Sequence, residues 1–144
     1  MEKLYKILSD THATLFLLFF KTWTFHWNVT GSDFYQLHLL FGEQYTKMFE
    51  EIDRLSEHMR YLGMSPVPTL NRMVEVANIE EAQVNVKGTQ MVSALLEDNQ
   101  KLIEMLKEIS DEAEEQESLA TANLVQDLME SHGSFVYKLR SIQE

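Results

Sequence analysis

Cysteine is absent from this chain of 144 residues. Disulfide bonds, thiolate metal sites and cysteine nucleophiles are therefore excluded, and histidine and the carboxylates remain as ligands for any metal ion. Basic residues are also scarce, with 12 lysines and arginines against 23 aspartates and glutamates, and the formal net charge is -11. Because positive charge is what binds phosphate backbones, this balance predicts against nucleic-acid binding.

Proline, glycine and long apolar runs are few as well. The chain has two prolines, Pro66 and Pro68, and five glycines, so helix-breaking residues interrupt almost none of it and an all-α fold is expected. The longest apolar run, Leu15 to Phe20, is far shorter than the roughly 20 residues of a membrane span. Because the start of the chain also lacks a signal-peptide pattern, we expect a cytoplasmic protein with no membrane partner.

Apolar residues recur at intervals of three and four, which is the spacing of one helix face. This pattern predicts a first helix from Leu4 to about Asn28. A second helix is expected to be capped by Ser32 or Asp33 and to be closed by Gly63.

The second half of the chain predicts two more long helices. The third is expected to start near Asn78, where Glu81 three residues later completes a capping box, and the fourth to continue as far as Ile142. Between helices two and three, the segment from Met64 to Asn78 holds both prolines and predicts a long connection with a short helix. Two short turns and one long connection form the ferritin-like arrangement of a four-helix bundle, here as a single domain of residues 1–144.

The first helix predicts a contact with another subunit. A lone bundle needs one apolar stripe on each helix, whereas the run from Leu15 to Phe20 is apolar on every side. We therefore expect the outer side of the bundle to face a second copy of the chain, with a locally thick core as the alternative. The candidate interface residues are Phe16, Phe20, Trp23, Leu39 and Leu40.

The histidines do not follow the usual pattern of a metal-binding bundle. None of the five stands three residues after a glutamate, so the Glu-x-x-His pair of a di-iron bundle is missing. His26 near the end of helix one and His38 in helix two flank the first turn, so both are expected at a similar height in the bundle and can share a metal ion. The alternative, that each is a packed or solvated side chain, stays open.

Two carboxylates further along helix two complete a candidate ligand set. Asp53 and Glu57 are one helical turn apart, but Asp53 lies about 22 Å beyond His38 at about 1.5 Å per residue. Two copies of helix two packed antiparallel about a twofold axis would join the histidine end of one to the carboxylate end of the other. Two imidazoles with two carboxylates suit Fe(II), and also zinc or manganese, so the ligand types leave the metal open.

The sequence resembles the Dps-type miniferritins, the family named as DNA-binding proteins from starved cells. The most specific match is the run from His26 to Gly31, followed by Phe34, Leu37-His38, Asp53, Ser56-Glu57 and Leu62-Gly63. Further matches cover essentially the whole chain, at Pro68-Thr69-Leu70, Asn78-Ile79-Glu80-Glu81 and Ala120-Thr121-Ala122.

The resemblance implies a hollow dodecamer that binds Fe(II) at intersubunit ferroxidase sites. Such a shell oxidises the iron with hydrogen peroxide or dioxygen, stores ferric mineral and protects against oxidative damage. By position, His26 and His38 match the family's ligands from one subunit, and Asp53 and Glu57 match those from its twofold partner. Trp27 matches a tryptophan beside the site that absorbs oxidising equivalents, with packing as the alternative.

The resemblance also leaves a second function open, a non-catalytic metal-buffering or DNA-protecting shell of the same fold. Family members that bind DNA use lysine-rich tails, and the residues before the first helix and at the end of the chain do not form one. We therefore expect no DNA binding.

Two features of the sequence depart from the family or extend it. Where the family commonly has a carboxylate four residues after the second histidine, this chain has Gly42, followed by Glu43 as a candidate extra ligand. Acidic residues crowd the segment from Glu104 to Glu117, near the predicted end of helix three, where the helix dipole disfavours negative charge. We interpret Glu117 and Asp127 as candidates for an iron pore, with a solvated acidic face as the alternative.

Overall fold

The computed structural model describes residues 1–143, which form helices and connecting segments without a strand. The helices are α1 (Glu2–Asn28), α2 (Phe34–Tyr61), α3 (Leu70–Val76), α4 (Gly88–Glu115) and α5 (Leu119–Gln143). Helix α1 packs against α2 and α4, α5 packs against α4, and the short α3 lies against α1. The predicted ferritin-like four-helix bundle, with a short helix between the second and third long helices, is confirmed.

The core lies between the apolar faces of the four long helices. Its fully buried side chains include Leu8 and Leu18 of α1, Phe41 of α2 and Leu102 of α4. Removing each such side chain from water stabilises the bundle by about 1.5–3 kcal/mol, offset by the conformational entropy lost on folding. This packing fixes α1 and α2 along their whole length and so holds the histidines that these two helices carry.

Left-handed glycines mark the two ends of α2. Gly31, with φ of 100°, lies in the short turn of residues 29–33 and sends α2 back along α1. At the other end Gly63, with φ of 86°, allows the backbone N–H of Met64 to donate to the carbonyl of Met59 at 2.9 Å. Gly63 also donates to the carbonyl of Arg60 at 3.0 Å, which completes a Schellman motif. The predicted limits of helix two are confirmed.

The predicted start of the third long helix near Asn78 is wrong, because α4 begins at Gly88. The backbone N–H of Asn78 donates to the Thr14 hydroxyl at 2.9 Å, and the Lys21 ammonium donates to the carbonyl of Glu80 at 2.9 Å. Both partners belong to α1, so this segment is bound to the bundle in a non-helical form. The α4 N-terminus is capped instead where the Lys87 N–H donates to the Gln90 side chain at 2.8 Å.

A buried ion pair holds the same region. The Lys21 ammonium of α1 lies 2.8 Å from a carboxylate oxygen of Asp98 of α4, and both side chains are more than nine-tenths buried. Burial raises the pKa of the Asp98 carboxyl, and the neighbouring Lys21 opposes that rise. One lysine therefore joins α1 both to α4 and to the connection that precedes α4.

Part of the predicted interface lies on the surface of the single chain. Phe20 and Leu39 are 44% and 52% exposed, and Phe49, which was not predicted, is 65% exposed. The other three predicted residues, Phe16, Trp23 and Leu40, are partly buried. Within residues 1–143, no helix combines the length and the apolar character that a membrane crossing requires.

Candidate metal centre

The site histidines meet where the end of α1 lies beside the start of α2. The imidazole rings of His26 and His38 are stacked, with their centroids 3.8 Å apart and their planes 13° from parallel. Because the turn between the helices is only five residues long, it places the two rings at the same height, as the sequence predicts.

Reciprocal hydrogen bonds fix the orientation of both rings. The Nδ1 of His26 lies 2.6 Å from the carbonyl oxygen of His38, and the Nδ1 of His38 lies 2.8 Å from the carbonyl oxygen of His26. A carbonyl oxygen only accepts, so each Nδ1 carries the hydrogen and each Nε2 keeps its lone pair. A backbone carbonyl in this position is the usual way to hold an imidazole ready to bind a metal through its other nitrogen.

Gly42 and Tyr45 confine the His26 ring, and neither contact was predicted from the sequence. A Cβ atom built on Gly42 of α2 would lie 3.0 Å from Cε1 and 3.1 Å from Nδ1 of that ring, closer than ordinary contact. The Tyr45 ring lies 5.2 Å from the His26 ring, centroid to centroid, and stacks on Trp23 at 5.5 Å. A glycine inside a helical pattern was the one sequence signal that a close approach occurs here.

The carboxylates of the predicted ligand set lie elsewhere on the same helix. Asp53 and Glu57 are exposed near the other end of α2, and at about 1.5 Å per residue the unbroken helix keeps them about 22 Å and about 28 Å from His38. Among residues 1–143, no three histidine, aspartate or glutamate side chains come together as a metal-binding group. Within one chain, the four predicted ligands therefore lie as two separate pairs.

The predicted supplementary residues have other contacts in the single chain. Glu43 is exposed and forms an ion pair with Lys138 of α5 at 2.8 Å. Trp27 is 51% exposed and lies against Trp23, with the two ring centroids 4.8 Å apart. Neither contact prevents a role at the site, because both side chains are accessible from outside the chain.

The two candidate pore residues lie in different parts of the bundle. Glu117 is exposed in the turn between α4 and α5, and its φ of 59° is in the left-handed region. Asp127 lies two turns further along, on α5, where its carboxylate is 3.1 Å from the Arg54 guanidinium. Within residues 1–143, neither carboxylate belongs to a group of three or more side chains that could hold a metal ion.

A buried polar network in the bundle core was not predicted from the sequence. Both nitrogens of His132 on α5 are engaged, Nδ1 with Asn99 Oδ1 and Nε2 with Glu51 Oε1, each at 2.7 Å. His12 of α1 is buried too, and its Nε2 lies 2.7 Å from the Ser56 hydroxyl. This hydroxyl donates to the Ile52 carbonyl at 2.7 Å, so it accepts from His12.

Comparison with known proteins first identifies the family to which this chain belongs. Residues 5–144 match the model of the ferritin-like domain, so the chain belongs to the ferritin-like family. It is 34% identical over 138 residues to the DNA protection during starvation protein of Brevibacillus brevis, covering 96% of this chain and 93% of that protein. Within the family, the chain is therefore a Dps-type miniferritin.

Solved structures agree with this placement. A crystal structure of a Dps protein from Bacillus brevis superimposes with a TM-score of 0.95 at 33% identity, covering 99% of this chain and 96% of that chain. A Dps protein from Vibrio cholerae O1 superimposes with the same TM-score at 25% identity, covering 99% and 90%. It is described as a member of a broad superfamily of ferritin-like diiron-carboxylate proteins.

Proposed function

We propose that this protein is a cytoplasmic ferroxidase and iron store, which binds Fe(II) between subunits, oxidises it and keeps the ferric product inside a dodecameric shell. The observation that carries the proposal is the stacked and reciprocally hydrogen-bonded pair of His26 and His38, whose Nε2 lone pairs are held ready for a cation. Family membership supports iron as that cation, because a relative of the same fold is described among diiron-carboxylate proteins.

The second half of the ligand set comes, in this proposal, from a second copy of the chain. Asp53 and Glu57 are exposed and lie too far from His38 to share an ion with it in one chain. Twofold packing of two α2 helices would unite His26 and His38 of one copy with Asp53 and Glu57 of the other, and would create two equal sites. The exposed side chains of Phe20, Leu39 and Phe49 provide apolar surface for such contacts.

The proposed set of two imidazoles and two carboxylates suits the oxidation of Fe(II) to Fe(III). Imidazole holds Fe(II), and carboxylates favour the harder Fe(III) product, so the metal stays bound while it is oxidised. Two Fe(II) ions each give one electron to hydrogen peroxide, its O–O bond breaks, and two protons from solvent complete two water molecules. Because peroxide takes both electrons, no free radical is released, and the reaction removes an oxidant as well as storing iron. Zinc or manganese would compete for the same ligands.

The first test mixes the purified protein with Fe(II) and hydrogen peroxide. We expect rapid oxidation and a soluble ferric core, seen by absorbance and by sedimentation. The double variant His26→Ala/His38→Ala should lose most of the rapid oxidation and should still assemble, while Gln36→Ala, an exposed residue in the same part of α2, should behave as wild type. Wild-type protein that forms neither Fe(III) nor a soluble core would exclude the proposal.

The iron oxidation experiment and a gel-retardation assay separate the alternatives. A shell that binds iron without speeding its oxidation would be a metal buffer. A shell that retards plasmid DNA in a gel at physiological salt would be a DNA-protecting protein, which the formal charge of -11 per chain disfavours because like charges repel.

A further inference from the structure

Polar side chains join α2 to α5 along the length of the bundle. Helix α5 packs closely against α4 and only sparsely against α2. In the described part of the chain, four hydrogen bonds or ion pairs connect α2 and α5 at distances of 2.7 to 3.1 Å: Glu43 with Lys138, Glu51 with His132, Arg54 with Asp127 and His58 with Thr121. The partners ascend α2 as they descend α5, so these contacts fix the antiparallel register of the two helices.

The contact between Glu51 and His132 is the most buried of the four. The His132 side chain is fully buried and the Glu51 side chain is 4% exposed. By contrast, the side chains of Arg54 and Asp127 are each more than half exposed, and exposed ion pairs contribute little to the energy of a fold. A hydrogen bond is stronger in the low dielectric of the core. The bond between Glu51 and His132 is therefore the contact best placed to hold α2 against α5.

Helix α4 holds His132 from the other side. The Nδ1 of His132 donates to Asn99 Oδ1 at 2.7 Å, and Asn99 Nδ2 donates to the Leu95 carbonyl at 2.7 Å, which fixes the direction of the amide. The Nε2 of His132 faces Glu51 Oε1, and the other oxygen of Glu51 has no hydrogen-bond partner within residues 1–143. A buried polar pair of this kind adds little stability over apolar side chains of similar size, and fixing register is its best-attested use.

Glu51 lies on the opposite face of α2 from the proposed carboxylate ligands. At about 100° per residue, Asp53 is about 200° and Glu57 about 240° further around the helix, and both are exposed. Because side-chain atoms extend about 5–6 Å from a helix axis, a rotation of α2 by about 10° would displace both carboxylates by about 1 Å. Metal–ligand distances vary by only about 0.2 Å, so a site between two chains depends on how firmly α2 is held.

We propose that Glu51 and His132 are positioning residues, whose hydrogen bond in the core stops α2 from turning about its axis and so holds Asp53 and Glu57 in place for the histidines of a second copy. This inference rests on the proposed function and adds what fixes the carboxylate half of its site. Neither positioning residue touches the metal ion. The hydrogen bond of Glu51, and not its charge, has this role.

Two substitutions of Glu51 separate its hydrogen bond from its charge. Because His132 Nδ1 carries the hydrogen that it donates to Asn99, the amide of Glu51→Gln can still donate to His132 Nε2, whereas Glu51→Met cannot. Calorimetric titration of the assembled, metal-free protein with Co²⁺ should give similar affinities for Glu51→Gln and the wild type. Glu51→Met should bind Co²⁺ about tenfold more weakly, the lower end of the loss that changes behind metal ligands typically cause. Equal affinities for the two variants would overturn the inference.

A double variant covers the case in which Glu51→Met does not fold. Glu51→Leu/His132→Leu leaves neither partner of the pair buried alone, and apolar replacement of a buried pair is often neutral for stability. This variant should therefore fold, as chemical unfolding would show, and should bind Co²⁺ about tenfold more weakly than the wild type. Wild-type Co²⁺ affinity in the folded double variant would overturn the inference.

Mixed shells show which chain needs the hydrogen bond. The variant His26→Ala/His38→Ala supplies only carboxylates to a mixed twofold pair, and Asp53→Ala/Glu57→Ala supplies only histidines. Adding Glu51→Met to the first chain should weaken Co²⁺ binding, and adding it to the second chain should not. A general loss of stability would act equally from either chain, so equal effects would overturn the inference.

The same mixture distinguishes this inference from the proposed function. Without a change at Glu51, the mixed shells should regain Co²⁺ sites. If they regain none, the intersubunit site is wrong and the inference that rests on it is overturned too. Regained sites whose Co²⁺ affinity does not respond to Glu51→Met in either chain would leave the proposed function standing and would overturn the inference alone.

Discussion

At the residue scale, the site histidines differ from the buried histidines in what their nitrogens meet. His26 and His38 each donate a hydrogen bond from Nδ1 to a backbone carbonyl, which leaves Nε2 available as a ligand. His132 has hydrogen-bond partners at both nitrogens. His12 donates from Nε2 to Ser56, and its Nδ1 is buried without a hydrogen-bond partner in the described chain. Among these four histidines, metal binding is therefore expected only at the first pair.

Burial of His12 makes the stability of the bundle depend on pH. Burial lowers the pKa of His12 below its ordinary value of 6.5. As the pH falls through 6.5, the unfolded chain takes up a proton at this residue that the folded chain does not, so the free energy of unfolding decreases. Each unit by which the pKa is lowered contributes about 1.4 kcal/mol to this loss.

The variant His12→Gln removes that titration and should flatten the pH profile. Chemical unfolding between pH 8 and pH 5 should show a large stability deficit of the variant at the alkaline end, where wild-type His12 is neutral in both states. The deficit should shrink towards the acid end. Parallel pH profiles for the two proteins would show that His12 has an unperturbed pKa.

The backbone conformation of Glu117 also lowers the free energy of unfolding. It has φ of 59° at the end of α4, where Ser118 N–H donates to the Ala113 carbonyl at 2.7 Å in a Schellman motif. A side chain in this conformation costs about 1–2 kcal/mol, and glycine avoids that cost but loses about 0.5–1 kcal/mol more in conformational freedom, so Glu117→Gly should raise the free energy of unfolding by about 0.5–1 kcal/mol. Glu117→Ala should not, although both variants lose the charge. A glycine variant less stable than wild type would contradict this account of the turn.

At the element scale, most helix limits follow from local sequence and one does not. The glycines after α1 and α2 lie where the chain must turn, and local sequence is enough to place them. The predicted start of α4 was wrong because the prediction relied on Asn78 and Glu81, which have the spacing of a helix cap. In the folded chain, contacts with Thr14 and Lys21, about 60 residues earlier, hold this segment in a non-helical conformation.

The ion pair between α1 and α4 gives an element-scale prediction. Lys21→Met would leave the Asp98 carboxylate buried without its cation, and breaking a buried pair in this way typically costs about 3–5 kcal/mol. The double variant Lys21→Met/Asp98→Leu should recover much of this loss, since no buried charge remains. Urea unfolding followed by circular dichroism measures both. A double variant no more stable than the single one would mean that the hydrogen bond from Lys21 to Glu80 is the main contribution.

At the scale of the whole molecule, the proposed site requires more than one chain. The sequence predicts the pairing of His26 with His38, because a short turn joins their helices, and the structure places the two rings in contact. The contact between Gly42 and the His26 ring could be predicted only in part, because a glycine within a helix signals a close approach but not which side chain makes it. The union of the histidines with Asp53 and Glu57 stays a prediction, since it requires a second copy of the chain.

At this scale, we expect the net negative charge of the chain to have a function in the proposed shell. The proposed shell, built from chains of net charge -11, would repel DNA and raise the local concentration of cations at its surface. Because cysteine is absent, the ligands proposed between its subunits are histidines and carboxylates, which suit iron.

Mixing two inactive variants tests the central claim of an intersubunit site most directly. One variant, His26→Ala/His38→Ala, keeps the carboxylates, and the other, Asp53→Ala/Glu57→Ala, keeps the histidines. In equal co-assembly, half of the twofold pairs are mixed and each has one complete site, so the shells should regain about a quarter of the wild-type Co²⁺ sites and ferroxidase activity. Native mass spectrometry verifies the mixing. Fully mixed shells with no more sites or activity than either variant alone would contradict the account.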